Sequence, residues 1–216
     1  MVEHYLDTVG VRGSNPLSRT IFSFMSDFSS NLNQAIDESV RSLESLRHLG
    51  PEVARAIGLI EECLAAGNKL LICGNGGSAA DASHLATELV VRFGKDRRAL
   101  PAISLATDTG ILTATGNDYS FDEIFSRQVA ALGLPGDVLI CLTTSGNSRN
   151  VLRALQEAKG RDMKIISFLG RGGGSTVGIG DVDLLVKSDS TARIQEAHQL
   201  LLHVLCDIVE SRLDQE

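Results

Sequence analysis

The sequence is short of cysteine pairs, of long apolar runs, of positive charge and of proline, and each shortage excludes something. Its four cysteines, Cys63, Cys73, Cys141 and Cys206, lie far apart, and no two form a CxxC pair. They read as buried free thiols of a reducing cytoplasm. No apolar run approaches the length of a membrane span. The N-terminus lacks a basic-then-apolar signal pattern, so export is not expected and a cytoplasmic location is. Lys and Arg number 20 against 27 Asp and Glu, a net charge of −7. That balance disfavours non-specific binding to nucleic acid or to an anionic membrane, since both need a positive field. It does not exclude a small anionic substrate, because local N–H dipoles can hold a phosphate on an acidic protein. Only 4 prolines stand beside 21 glycines, which implies many tight loops and few breaks within elements.

What is present is an ordinary globular composition, 43% hydrophobic and 22% charged, in 216 residues. We expect one domain over 18–216, with a poorly ordered tail over 1–17. From Ser18 an amphipathic pattern runs through Ile21, Met25, Phe28, Leu32, Ile36, Val40 and Leu43 at steps of three and four. Pro51 suits the first turn of a second helix that stops at Gly67. After it, apolar strands are expected at 69–73, 101–105, 137–142, 163–168 and 182–187. Helices are expected at 78–92, 108–116, 121–132, 148–159 and about 192–213. Alternation of this kind implies right-handed crossovers and a parallel sheet covered on both faces. The glycine-rich segment 170–181 reads as a mobile connection. The last helix is apolar around most of its circumference; with the first helix it suggests a subunit interface.

The chain is organised around 73–93, CGNGGSAADASHLATELVVRF. A strand ends at the loop Gly74–Gly77, and a helix opens with Ser78 near its first turn. Loop and helix N–H groups then point into one spot, which makes an anion site. The glycine loop matches neither the Walker pattern nor GxGxxG. The same helix carries His84 and Glu88 four residues apart, on one face. A phosphate cradle leading into an imidazole–carboxylate pair is the feature to explain.

A second loop, Thr143-Thr144-Ser145-Gly146-Asn147-Ser148, follows the third strand and opens a helix. Its hydroxyls and the helix N-terminus suit a phosphate. Asn147 or Ser148 acting as a simple helix cap is the plainer reading of this loop alone. Ligands bind open parallel sheets at the carboxyl ends of strands where strand order reverses, and the two loops together favour a ligand. On the last helix Gln195, Gln199 and His203 step by four along one side. The plainer reading there is an exposed glutamine and a satisfied core histidine.

Taken together, GNGGSAADASHLATELVVRF, ATGNDYSFDEIFSRQV, TTSGNS and STARIQEAHQLLLH resemble the phosphoheptose isomerases of the sugar isomerase (SIS) domain family. The resemblance covers about residues 21–213, with the motifs in the same order. It implies an α/β, flavodoxin-like three-layer sandwich with a five-stranded parallel sheet, plus N-terminal helices, assembled as a homotetramer. It also implies one zinc ion per subunit on His84, Glu88, Gln195 and His203, with Glu88 as base and His203 as acid. Asn75, Gly76, Gly77, Ser78, Glu88, Asn117, Asp118, Thr143, Thr144, Ser145, Ser148 and Gln195 match the family's sugar-phosphate contacts. Two departures stand out. Thr143 replaces a more usual serine and keeps the hydroxyl. The turn Gly170–Gly174 lacks the acidic residue expected there, which bears on substrate placement.

The implied reaction converts sedoheptulose 7-phosphate to D-glycero-D-manno-heptose 7-phosphate, feeding heptose into lipopolysaccharide or another surface glycan. It moves a proton between C1 and C2 through an enediolate, which calls for a carboxylate base, a proton donor and nearby positive charge. Two other readings remain: an isomerase for another ketose phosphate, or a non-catalytic family tetramer that binds the replication initiator protein. The latter has no use for Glu88 one turn from His84. The complete residue set favours the enzyme. His4, His48 and His198 are unassigned, with His198 expected at solvent or a subunit contact. Arg92 fits a substrate contact or a solvated surface arginine equally well.

Overall fold

The computed structural model describes the backbone from Pro16 to Leu213 and the side chains from Phe28 to Arg212. The expected tail lies outside the described residues, except that Pro16 and Leu17 already belong to the first helix, α1 (Pro16–Glu44). By packing the chain divides into two units, one ending at Val40 and one running from Arg41. In the first unit the front of α1 shows Phe28, Leu32, Ile36 and Val40 in steps of four, each exposed, Phe28 at 65%.

The second unit continues through a 3₁₀ turn (Ser45–Leu49) into α2 (Gly50–Ala65), whose first turn holds Pro51. There a missing N–H costs nothing. The chain then alternates: β1 (Leu70–Gly74), α3 (Gly77–Val90), β2 (Ala102–Ser104), α4 (Thr109–Asp118), α5 (Ser126–Leu132), β3 (Val138–Thr143), α6 (Arg149–Gly160), β4 (Lys164–Leu169), β5 (Val182–Leu185) and α7 (Thr191–Leu213). The helix expected over 121–132 is split into a 3₁₀ turn, Phe121–Glu123, and α5. Ile124 and Phe125 lie between the two pieces, and both are buried.

The five strands are all parallel, in the order β2-β1-β3-β4-β5. Period-2 alternation along each strand divides the core into two layers. Leu70, Ile72, Val138, Ile140, Leu142, Ile166 and Phe168 face α2, α3 and α7. Leu71, Cys73, Leu139, Cys141 and Ile165 face α5 and α6. This is the flavodoxin-like three-layer sandwich, and its inner strands β1 and β3 are buried end to end because helices cover both faces. Strand order reverses at β1, between β2 and β3, so the loops after β1 and β3 open at the same edge.

Candidate active site

The loop after β1 is shaped by close backbone approach. Gly76 has φ +57°, a conformation that glycine adopts without strain. A Cβ on Gly74 would stand 2.6 Å from the Ser78 carbonyl oxygen, so strand end and helix start press together. Ser78 N–H donates to Asn75 O and Ala79 N–H to Gly76 O, both at 3.0 Å, which turns the chain into α3.

The loop after β3 holds itself in shape. Thr143 Oγ1 accepts from Gly146 N–H at 3.1 Å, and Ser145 Oγ accepts from Asn147 N–H at 3.2 Å. Ser148 occupies the N-cap of α6, yet its side chain makes no capping hydrogen bond. The simple-cap reading therefore fails for Ser148. Gly146 has φ +64°, and a Cβ there would run into the Gly173 carbonyl.

Gly173 belongs to the segment expected to be a mobile connection, and here the structure corrects the sequence reading. Arg171–Thr176 turn tightly through a kink at Gly172, Gly173 and Gly174, all at positive φ, and Gly173 and Thr176 are buried. Thr176 N–H donates to Gly146 O at 3.1 Å, while Ser175 N–H and Oγ–H donate to Asn147 Oδ1 at 3.0 and 3.1 Å. Glycine at successive positions lets two backbones touch where side chains would hold them apart.

The two loops are joined by a pair of amides. Asn75 Nδ2 donates to Asn150 Oδ1 at 2.9 Å, and Asn150 Nδ2 donates back to Asn75 Oδ1 at 2.8 Å. Asn150 is 2% exposed and its Oδ1 also accepts from Val151 N–H. Asn75 thus keeps one N–H and one lone pair for a ligand. Sequence reasoning missed Asn150; the signal was a second amide in the first turn of the helix behind the loop.

Helices α3 and α7 run side by side in one register. Gln195 lies against Gly77, where a Cβ would meet Gln195 Oε1 at 2.5 Å. One turn on, Gln199 Nε2 donates to Asp81 Oδ1 at 3.0 Å. One turn further, the rings of His84 and His203 stand edge to face, with centroids 5.1 Å apart. His84 Nε2 is 3.0 Å from Glu88 Oε1. A constant offset of about 118 residues between partners is what two parallel helices with equal rise produce. The pairing carries His84, Glu88 and His203 about 10 Å or more along the axes from the loop. Glu88 also lies close enough to Cys206 to raise its thiol: burial first, then this carboxylate, push Cys206 up to about 12.

Two imidazoles, a carboxylate and an amide oxygen are donors that zinc accepts, although an amide is unusual. Gln195 Nε2 points to Asp81 Oδ1 at 3.5 Å, which leaves Oε1, the atom a metal would take, outside that hydrogen bond. Asp81 is itself 1% exposed, with Oδ2 buried and unpartnered. Sequence reasoning missed it as well, though it sits one turn before His84 on the same face. The donor types fit the metal. The side chains do not converge as a closed set: among the described residues no three His, Cys, Asp or Glu meet as a metal-holding group.

Other expected contacts stand apart. Asn117 and Asp118, at the end of α4, are exposed and hydrogen-bond each other at 2.8 Å. Arg92 is exposed and donates to Gly94 O. His198 was expected at solvent or a subunit contact and is instead fully buried within the chain, its Nε2 against Leu169 O at 3.3 Å. Burial pushes its pKa down to about 4 against the pull of that carbonyl and of Asp81. The physical reason is helical phase: His198 falls between the buried Ile194, Ala197 and Leu201.

The SIS domain profile matches residues 34–170. A phosphoheptose isomerase of Shewanella sp. (strain ANA-3) is 47% identical over 186 residues, 84% of this chain and 94% of the relative. Phosphoheptose isomerase GmhA from Neisseria gonorrhoeae superposes with a TM-score of 0.81 at 45% identity, over 85% of this chain and 99% of that one. The Francisella tularensis phosphoheptose isomerase gives the same TM-score at 41% identity, over 84% and 97%. The Vibrio vulnificus NanR protein, at 18% identity, shares the fold alone, with a TM-score of 0.63 over 97% of this chain and 73% of that one.

Proposed function

This chain belongs to the SIS domain family, and from that premise we propose that it is an aldose–ketose isomerase acting on sedoheptulose 7-phosphate. The product is D-glycero-D-manno-heptose 7-phosphate, a precursor for lipopolysaccharide or another surface glycan. The observation that carries this reading is the parallel pairing of α3 with α7. It starts at a glycine loop and ends at two imidazoles in ring contact, His84 and His203, the first hydrogen-bonded to the Glu88 carboxylate.

In the proposed reaction the loops at Asn75–Ser78 and Thr143–Ser148 hold the phosphate and nearby hydroxyls through backbone N–H groups and side-chain hydroxyls. Gln195 completes the substrate contacts within the chain, since Asn117 and Asp118 stand apart from it. The Glu88 carboxylate takes a proton from C1 of the open-chain ketose. The electron pair forms the C1–C2 double bond, and negative charge develops on the C2 oxygen. His203 as imidazolium protonates that oxygen and recovers a proton from the C1 hydroxyl, while Glu88 returns its proton to C2. His84, hydrogen-bonded to Glu88, orients the base. Zinc, held by His84, Glu88, Gln195 and His203, would supply positive charge beside the developing enediolate.

The exposed stripe Phe28, Leu32, Ile36 and Val40 supports assembly as a homotetramer through α1, since a contiguous apolar face calls for a partner. Buried, unpaired cysteines support a cytoplasmic setting. Among the described residues no helix is long and apolar enough to cross a membrane.

The test is turnover of sedoheptulose 7-phosphate by the wild type and Glu88→Gln, each with and without added zinc. We expect wild-type turnover, its loss in a chelator, and a fall of about 10²–10⁴-fold in the variant without loss of fold. A zinc-loaded wild type that turns over neither this ketose nor shorter or longer ketose phosphates would sink the enzyme reading. It would leave the binding role in its place.

A further inference from the structure

Beyond the last turn of α3 the chain crosses residues 91–101 before β2, and one buried ion pair organises that crossing. Glu210 lies near the end of α7, two turns past His203 and on the same side of the helix. Its Oε1 accepts from Gly94 N–H at 2.8 Å and Lys95 N–H at 2.6 Å. Its Oε2 accepts from Phe93 N–H at 2.9 Å and from Arg97 Nε–H at 3.0 Å. Arg97 in turn donates through Nη2 to Glu88 O at 2.7 Å, and through Nη1 to Leu89 O and Arg98 O at 2.9 Å each. The two side chains are 5% and 4% exposed.

A buried ion pair is a weak source of stability, because desolvation offsets most of the attraction. What this one supplies is direction. The last carbonyls of a helix have no partner within it, and a planar guanidinium can take two of them while holding a carboxylate with its third nitrogen. The carbonyls taken here are those of Glu88 itself and its neighbour. On the other side, fixing Phe93 N–H places the Phe93 ring 5.7 Å from the His203 ring, which already has His84 at 5.1 Å on another side. One ion pair therefore bonds the backbone of Glu88 directly and reaches His203 at one remove, through Phe93.

We propose that Arg97 and Glu210 are positioning residues that set Glu88 and His203 in reacting register; the catalytic part of this rests on the isomerase reading above. Neither side chain touches substrate. Their removal leaves the phosphate loops untouched and loosens the end of α3 against α7.

Arg97→Lys keeps the charge and loses the fork; Glu210→Gln keeps the shape and two acceptor lone pairs. Phe93→Leu leaves the pair intact and removes the ring beside His203. The measurements are kcat and KM on sedoheptulose 7-phosphate, zinc affinity by chelator competition, thermal unfolding, and the imidazole NMR signals of His203 with exposed His48 as reference. For Arg97→Lys and Glu210→Gln we expect kcat and zinc affinity to fall about 10–100-fold, with KM within about twofold. His203 signals shift and those of His48 do not. Phe93→Leu gives the same His203 shift with a smaller fall in kcat. A variant that melts earlier, yet keeps wild-type kcat below its unfolding range and unshifted His203 signals, overturns the proposal and leaves a purely structural pair. Should Arg97→Lys fail to fold, Glu210→Gln and Phe93→Leu decide by the same criteria. A wild type with no turnover would remove the isomerase reading alone, since the His203 signals still report whether the pair sets that ring.

Discussion

The two ends of the candidate site are made of different material. The phosphate end is backbone: two glycine loops, a glycine turn pressed onto one of them, and an amide pair between them. The acid–base end is side chains presented by α3 and α7, adjustable at each residue so long as the helices keep their register. Gly74 and Gly146 tolerate no added atom, because the backbone they face cannot swing aside. A side-chain site can lose its chemistry and keep its fold. Substitutions at the first end should therefore register in stability and binding, and those at the second in turnover.

Gly146→Ala gives the largest expected effect on the fold. The new methyl meets the Gly173 backbone at a residue with φ +64°, and neither partner can yield cheaply. We expect a loss of more than about 3 kcal/mol, or no soluble protein, measured by urea denaturation. Glu88→Gln, by contrast, should unfold within a few tenths of a kcal/mol of wild type while losing its activity. Equal stability for Gly146→Ala and wild type would break the comparison at its first term.

Acid stability is next. His198 lies on α7 against the end of β4, with Asp81 the charged group facing it, and is held neutral with a pKa near 4 against an ordinary 6.5. The unfolded chain binds its proton at higher pH than the folded one. Its contribution is therefore complete above about pH 6.5 and lost as pH falls to about 4. That is on the order of 3 kcal/mol. His198→Gln should flatten urea stability across that window; an unchanged slope would contradict the assignment. Glu210 acts lower. Burial raises its pKa, but the N–H groups of Lys95, Phe93 and Gly94, and then Arg97, outweigh that and hold it at about 2. Its contribution is present above about 4.5 and disappears as pH falls towards 2.

Asn150→Ala is the subtlest. It frees the Asn75 amide without touching Glu88 or His203. KM for the sugar phosphate should rise about tenfold with kcat within about threefold, the pattern of lost uniform binding. Stability should fall about 1 kcal/mol for the buried hydrogen bonds. A fall in kcat at constant KM would place Asn150 with the acid–base end and blur the distinction.

Much of this was legible in the sequence because it depends on local order. Strand, glycine loop and helix follow one another within 69–92, so the loop, His84 and Glu88 could be placed from period and turn chemistry alone. The parallel sheet followed from alternation, and its flavodoxin-like order from the family resemblance. What could not be read was anything joining residues far apart in the chain. Asp81 and Gln199, or Asn75 and Asn150, are ordinary polar residues until the fold brings each pair together. His198 and the turn Arg171–Thr176 were misjudged for the same reason. A polar ring suggested solvent or a subunit contact, glycine richness suggested a mobile connection, and packing buries His198, Gly173 and Thr176.

By itself, then, the sequence determined the alternating elements, the two loops at strand ends and the helix face that carries His84 and Glu88 together. These follow from side-chain period and from the backbone freedom of glycine, which are properties of neighbours. Only the tertiary structure decided that α3 and α7 run parallel in register. It alone set the two asparagines in a reciprocal pair and fixed Glu88 and Phe93 through one buried arginine–glutamate pair. Those relations depend on which distant segments share a layer, and that is set by how the whole sheet is covered rather than by any one stretch.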